Sequence, residues 1–285
     1  MVLVVGSTGN TGSALCSLLA ARGVPFRALT RDPIRARAVL GPAADLVTAD
    51  VTDRAAIDAA LRGVDAVYAA LGGTPHLLEA ERMLIDAASR AGVRHYVKLS
   101  GVEVRPALAT IQKIHAAAEA HLASSGMPWT VLGGNFFFQN FLAFIPAIRA
   151  GVLPLPTGAR RAALVDVADI ANAAACVLTT AGHEGRRYRM TGPASLSHAD
   201  AAAIFTDGLG HPVQHVDVPP AAFQQAGVDA GLPPWLAEQL TDIYTTFFGE
   251  PGAAAVSDDI ARLTSTPPRD LAAWVRANRA VFGPG

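Results

Sequence analysis

The chain has 285 residues, 51% of them hydrophobic and 16% charged, a balance that supports a substantial folded core and excludes a disordered chain. Its formal net charge of −1 leaves no electrostatic footprint for nucleic acid. Cys16 and Cys176 lie far apart without metal-ligand spacing, which predicts reduced thiols and no metal site. No apolar run approaches the ~20 residues that cross a bilayer. A strand starting at Val2 leaves no room for a leader peptide, so a cytoplasmic protein is expected.

Val2–Val5 is a β-branched run without polar alternation, as in a strand buried on both faces of a parallel sheet. Gly6-Ser-Thr-Gly9-Asn-Thr-Gly12 follows, and then Ala14, Leu15, Leu18, Leu19 and Arg22 recur at helical spacing. A strand that turns sharply into a helix through such glycines suits a dinucleotide. The turn needs unusual dihedrals, a diphosphate must approach the backbone, and the helix must close on the strand without an intervening Cβ. The helix N-terminus then offers free N–H groups to the anion.

Phe26–Thr30 reads as the second strand, ending in Thr30-Arg31-Asp32-Pro33. An acidic residue near this point would hold a ribose 2′-hydroxyl and a basic one a 2′-phosphate. Asp32 is placed to cap a helix over 33–40 with proline at its first position, which leaves Arg31 for the cofactor. Arg31 is either a solvated surface arginine or the 2′-phosphate ligand, and the second reading favours NADPH, with NADH as the alternative.

Strands are expected at 45–50, 64–71 and 95–100, and helices at 55–61, capped by Asp53, and 77–91, ended by Gly92. Strands alternating with helices through short connections define a doubly wound parallel α/β sheet. Ligands bind such sheets beyond the carboxyl ends of the strands. That rule selects Gly6, Ser7, Thr8, Gly9, Asn10, Thr11, Gly12, Arg31, Asp50, Val51, Ala70, Leu71 and Gly72 for the cofactor, and Ser100 beside the reacting centre.

With these motifs the chain resembles the NmrA-like atypical short-chain dehydrogenase/reductases, a Rossmann-fold group that includes isoflavone reductases and NADPH:quinone oxidoreductases. Further markers are Thr30-Arg31-Asp32, 119–132, Phe136-Phe-Phe-Gln-Asn140 and Val165-Asp-Val-Ala-Asp169-Ile-Ala171. The usual Tyr-x-x-x-Lys pair is missing, because the helix over 107–124 has no tyrosine. The resemblance implies two catalytic candidates there. Lys113 stands where isoflavone reductases carry a lysine, and His115 with Glu119 matches the His-x-x-x-Glu spacing of quinone-reductase relatives. At about 100° per residue the two side chains point to opposite faces. His115 is either catalytic or a buried histidine satisfied by Glu119, and Lys113 either catalytic or a solvated or subunit-contact lysine.

Relatives commonly read Arg-Pro at Gly133-Gly134, so the glycines are expected to open the pocket floor. Asn135, Phe136, Phe138 and Gln139 are expected to line the pocket, with Phe137 in the core. In the C-terminal third Asp169 is expected to cap a helix over 170–179, 188–192 to form a strand, and Ser197-His-Ala-Asp200 to open another helix. Residues 219–249, with Trp235 and Tyr244, form either a lid over the cleft or a small satellite core.

A single domain is therefore expected over 1–285, with 1–150 mainly for cofactor and 151–285 mainly for substrate. The expected activity is an NADPH-dependent ketoreductase acting on an aromatic, polyketide-type small molecule in antibiotic biosynthesis. The alternatives are an NAD(P)H:quinone oxidoreductase and a non-catalytic dinucleotide sensor. A monomer or homodimer is expected, without nucleic-acid or membrane partners.

Overall fold

The run Val2–Val5 is β1, an interior strand, third from one edge of a seven-stranded parallel sheet. The computed structural model describes residues 1–102, 104 and 110–283. β1 pairs in register with β2 (Phe26–Thr30) and with β4 (Ala66–Ala69), Val2 lying opposite Phe26 on one side and Ala66 on the other. β3 (Leu46–Thr48) forms one edge; β5 (His95–Gly101), β6 (Trp129–Gly134) and β9 (Arg186–Met190) extend the other, in the order β3-β2-β1-β4-β5-β6-β9. The chain reverses direction of travel between β1 and β4, and the crevice at their carboxyl ends is where such sheets receive ligands.

Helices α1 (Asn10–Ala21), α2 (Pro33–Leu40), α3 (Arg54–Ala60), α4 (Leu77–Arg90) and α5 (Thr110–Ser124) follow successive strands. The first three residues of the expected 107–124 helix lie outside the described residues. Val2 and Val4 pack with Leu15 and Leu19 of α1 and with Ile170 and Ala174 of α7 (Val167–Thr179). Leu3 and Val5 face the other way, toward Leu84 and Ile85 of α4 and Leu122 of α5. This alternation is what a strand covered on both sides requires, and each fully buried aliphatic side chain contributes roughly 1.5–3 kcal/mol.

The caps form at Asp32, whose Oδ1 accepts from the amides of Ile34 and Arg35 at 3.0 Å, and at Asp53, which accepts from Ala56. Ser197 and Asp200 make a reciprocal capping box on α8 (His198–Leu209). The expectation for Asp169 is corrected. α7 begins at Val167 with Asp166 as its cap, while Asp169 lies in the first turn and accepts from the Arg269 amide at 2.7 Å. Cys16 is buried, which pushes its thiol up to about 12, and Cys176 is half-buried with its thiol donating to the Leu263 carbonyl.

Beyond β6 lie α6 (Ile145–Arg149), a parallel pair of β7 (Val152–Pro154) with β11 (Gln214–Val216), and an antiparallel pair of β8 (Arg161–Ala162) with β10 (Leu196–Ser197). α9 (Pro220–Asp229) and α10 (Pro234–Thr246) form a hairpin over this region. Phe138, Phe205, Tyr244, Phe248 and Trp274 share a third core cluster there. Asp242 of α10 accepts from the Thr110 amide at 2.9 Å, so the hairpin caps α5 from outside. Among the described residues no helix is long and apolar enough to cross a membrane.

Candidate cofactor cleft and reaction site

Gly6 ends β1 with φ +79°, and a Cβ there would stand 2.2 Å from the Ala70 carbonyl oxygen. At Gly12 a Cβ would stand 2.2 Å from the Gly6 oxygen, so the first turn of α1 rests directly on the loop. Buried Ser7 donates to the Leu29 carbonyl at 2.8 Å and ties the turn to β2, and Thr11 is buried beside it. Gly9 caps α1 without a side-chain bond. The exposed Gly9-Asn10 turn therefore presents the helix N-terminus to the cleft, a cradle for a diphosphate.

A cavity of about 300 Å³ opens beside this turn and brings together Gly6, Thr8, Arg31, Asp50, Val51, Ala70, Leu71 and Gly72. Thr30, Thr52, Thr74 and His76 also line it and are not among the residues that the strand-end rule selects. The signal for Thr52 is present in Asp50-Val-Thr, since its amide and hydroxyl donate to Asp50 Oδ1 at 2.9 and 2.7 Å. Those bonds, with Arg31 nearby, hold the Asp50 carboxyl below its usual range. Asp32 is occupied as a cap and Arg31 is exposed at the cavity, which suits a 2′-phosphate. A charge-assisted hydrogen bond contributes about 1.5–3 kcal/mol. Arg31→Ala is therefore expected to weaken NADPH roughly 10- to 100-fold and NADH by under about threefold. Fluorescence titration with the two dinucleotides checks this, and equal losses would refute the 2′-phosphate role.

At the carboxyl end of β5, Ser100 donates to Glu119 of α5 at 2.5 Å. Arg187 of β9 binds the same carboxylate through Nε at 3.1 Å and reaches the carbonyls of Gly101 and Val102 at 2.5 and 3.1 Å. The expectation of an open floor at Gly133 is corrected, because Arg187 fills that space. A Cβ at Gly133 would lie 3.0 Å from Arg187 Nη1 and 2.8 Å from the Gly101 oxygen.

His115 and Lys113 diverge as helix geometry requires. Lys113 is exposed, while His115 points inward with its Nδ1 enclosed and unpartnered. Glu119 does not satisfy that nitrogen, since its carboxylate serves Ser100 and Arg187. Burial first, then the charges of Lys98 and Arg187, drive the His115 imidazole well below its usual range. Sequence reasoning missed the pair beneath them, in which fully buried Lys98 of β5 donates to fully buried Glu81 of α4. A lysine inside an apolar strand run was the available signal, since a buried charge needs a partner.

A second, apolar cavity of about 610 Å³ lies between Phe136–Phe144 and the α9–α10 hairpin. Phe136 and Tyr244 line it with their rings 5.3 Å apart, joined by Phe144, Phe223 and Leu240. Among the described residues lining it, only Asn140 and Tyr244 carry polar side-chain groups. Trp235 is half-buried at the start of α10 and is not part of this lining. Phe138 is fully buried against Trp274, at 5.9 Å between rings, and Phe137 packs on the sheet core as expected.

Asn135 and Gln139 are engaged by the fold. Asn135 donates to the Ala253 carbonyl and accepts from the Phe136 amide, both at 2.8 Å. Gln139 donates to Asp166 at 2.8 Å and accepts from the Val167 amide at 3.1 Å, which places it at the start of α7 in a separate groove beside Asn10 and Trp274.

Behind the apolar cavity His198 lies 4.7 Å from the Phe248 ring, and Phe248 stacks on Tyr244. Burial, then the neighbouring His215, pushes the His198 imidazole down to about 3. An unfolded chain protonates near the ordinary value of about 6.5. Above that value His198 costs nothing; below it the unfolded state alone takes up a proton. Stability should thus fall by up to ~1.4 kcal/mol per pH unit between about 6.5 and 3 from this residue. Denaturant midpoints across pH 7 to 4.5 should show a shallower decline in His198→Asn, and parallel curves would refute the assignment.

A doubly wound parallel sheet with a glycine turn under a free helix N-terminus and an adjoining adenosine-sized cavity defines a dinucleotide-binding protein. The model of the NmrA-like family matches residues 1–275, and the chain belongs to that family. It is 34% identical over 286 residues to an NAD(P)H azoreductase of Xenophilus azovorans, spanning 99% of both chains. It is 36% identical over 293 residues to a (4-alkanoyl-5-oxo-2,5-dihydrofuran-3-yl)methyl phosphate reductase of Streptomyces griseus, spanning 100% of both. Among solved structures, an NADPH-dependent quinone oxidoreductase of Escherichia coli in complex with NADPH superposes with a TM-score of 0.86 at 30% identity, over 97% of this chain and 99% of that one.

Proposed function

We propose that this chain, an NAD(P)H-dependent oxidoreductase with NADPH as its cofactor, delivers hydride to a carbonyl of an aromatic ketone or quinone held in the apolar cavity. The observation that carries this reading is the 610 Å³ cavity walled by Phe136, Phe144, Phe223 and Tyr244, which begins two residues past the end of β6. Flat rings bury well against such walls. When bound, the nicotinamide supplies the hydride. Gly6 to Gly12 would cradle the diphosphate, Arg31 the 2′-phosphate, and Ala70 to Gly72 the passage toward the ring.

The polar groups around the strand ends favour one kind of acceptor. Ser100 commits its proton to Glu119, His115 is held neutral, and Lys113 faces solvent. A quinone, or a ketone flanked by its own phenol, suits a site so arranged. Hydride converts the quinone directly to a phenol-like anion, while the ketone becomes an alkoxide that takes the proton of its flanking phenol and leaves a phenolate. In both the charge ends on an anion of pKa ~10 and needs little help from a protein acid. An aromatic polyketide ketone with a neighbouring phenol falls in this class, and an isolated ketone does not.

Following NADPH oxidation against quinones, hydroxylated aromatic ketones, azo compounds and simple aliphatic ketones tests the proposal. Turnover with the first two and none with aliphatic ketones is the expected result. Turnover confined to azo compounds would overturn the carbonyl assignment, and silence throughout would favour a sensor.

A further inference from the structure

In a parallel sheet, residues in register project to the same face. Ser100 of β5, Gly133 of β6 and Arg189 of β9 form one such row, and Lys98, Val131 and Arg187 form the row below it. Because Gly133 has no side chain, the guanidinium of Arg187 can pass over β6 and arrive at the end of β5. There it meets a carboxylate, Glu119, and two carbonyls, those of Gly101 and Val102. A planar guanidinium with five N–H groups in a fixed fork suits such a divergent set, and a lysine does not.

We propose that Arg187 is a positioning residue for the reduction: threaded through the gap at Gly133, it fixes the carboxyl end of β5 and the Ser100–Glu119 pair beneath the ring-binding crevice. Two consequences follow for neighbouring groups. The strand end is held by side-chain bonds where the ladder runs out, with the Val102 amide still donating to Gly134 at 2.8 Å. Ser100 has one hydroxyl proton and gives it to Glu119, so toward a bound molecule it acts as a hydrogen-bond acceptor. A ligand group that meets it must bring the proton, as an amide N–H or a hydroxyl does. The inference rests on the reductase reading of the site.

The test combines kinetics with hydrogen exchange. Misplacing a reacting group by about 1 Å can cost ~100-fold in rate. Arg187→Ala should therefore lower kcat roughly 10- to 100-fold while the Kd for NADPH stays within about threefold. Added ethylguanidinium at low millimolar concentration should restore part of kcat, and methylammonium should not. In the protein without cofactor, amide exchange should quicken at Gly101 and Val102 while Val97, inside β5, stays protected. If the variant does not fold, Arg187→Lys serves instead, with the same separation of kcat from Kd expected because the donors of an ammonium share one nitrogen and cannot span acceptors that Arg187 reaches with three separate nitrogens. An unchanged kcat, unchanged exchange at the strand end, or faster exchange throughout the sheet would each overturn the positioning role. A wild-type protein that reduces no acceptor would remove the reductase reading and leave the exchange result standing.

Discussion

Gly12→Ala is expected to lower NADPH affinity by ~100-fold or more. The new Cβ would stand 2.2 Å from the Gly6 oxygen, 2.8 Å from its carbon and 3.0 Å from Ser7 Cα. All three are backbone atoms, and none can rotate away. The first turn of α1 must therefore lift from the loop, taking with it the N–H groups that would face the diphosphate. Gly9→Ala provides the comparison, since its Cβ meets only the Gly6 oxygen, at 3.3 Å, and needs a shift of a few tenths of an ångström. Titration of both variants with NADPH should separate them by at least tenfold. Similar affinities would mean that this junction does not set the cofactor site.

The second large effect concerns stability. Lys98 and Glu81 are both fully buried and bonded to each other between the sheet and α4. Removing one partner of such a pair leaves an uncompensated charge and costs about 3–5 kcal/mol. At 2–4 °C per kcal/mol for a chain of roughly this size, Lys98→Met should lower Tm by about 6–20 °C. Replacing both, as Lys98→Met with Glu81→Leu, should recover most of that loss, because two well-packed apolar side chains avoid the desolvation of two ions. A double variant no more stable than the single one would show that the pair is favourable beyond satisfying its own charges. Thermal unfolding of the three proteins without cofactor decides between these outcomes.

Features written in short stretches of chain are legible in the sequence alone. The buried strand, the glycine spacing and the caps at Asp32 and Asp53 each depend on residues a few positions apart, and the fold contains all of them. The rule that ligands lie beyond strand ends gathers eight residues that do line one cavity. What is not legible depends on partners distant in sequence. Nothing local indicates that Arg187 will cross β6 to reach Glu119 and fill the gap at Gly133, or that the Asn135 amide will be taken up by Ala253. Gln139 looks like a substrate ligand because it follows an aromatic run; the start of α7, 28 residues further along the chain, claims it instead. The sequence pattern places the seventh strand two residues late, since Arg186-Arg-Tyr-Arg has charged side chains where a buried strand is expected to be apolar. β9 is the sheet's edge, where Arg186 can stay in solvent while Arg187 turns back across β6.

The two cavities draw on different stretches of the chain: the one beside the glycine turn on residues from Val5 to Ala80, the apolar one on residues from Phe136 to Tyr244. With the acceptor in the apolar cavity, as proposed, its preference could drift through exchanges in the later stretch without disturbing the dinucleotide. Recombination between family members at a crossover just before β6 would then offer a route to new acceptor preferences. The crossover would have to carry Gly133 and Arg187 together, since separating them would seat a foreign side chain where the guanidinium passes.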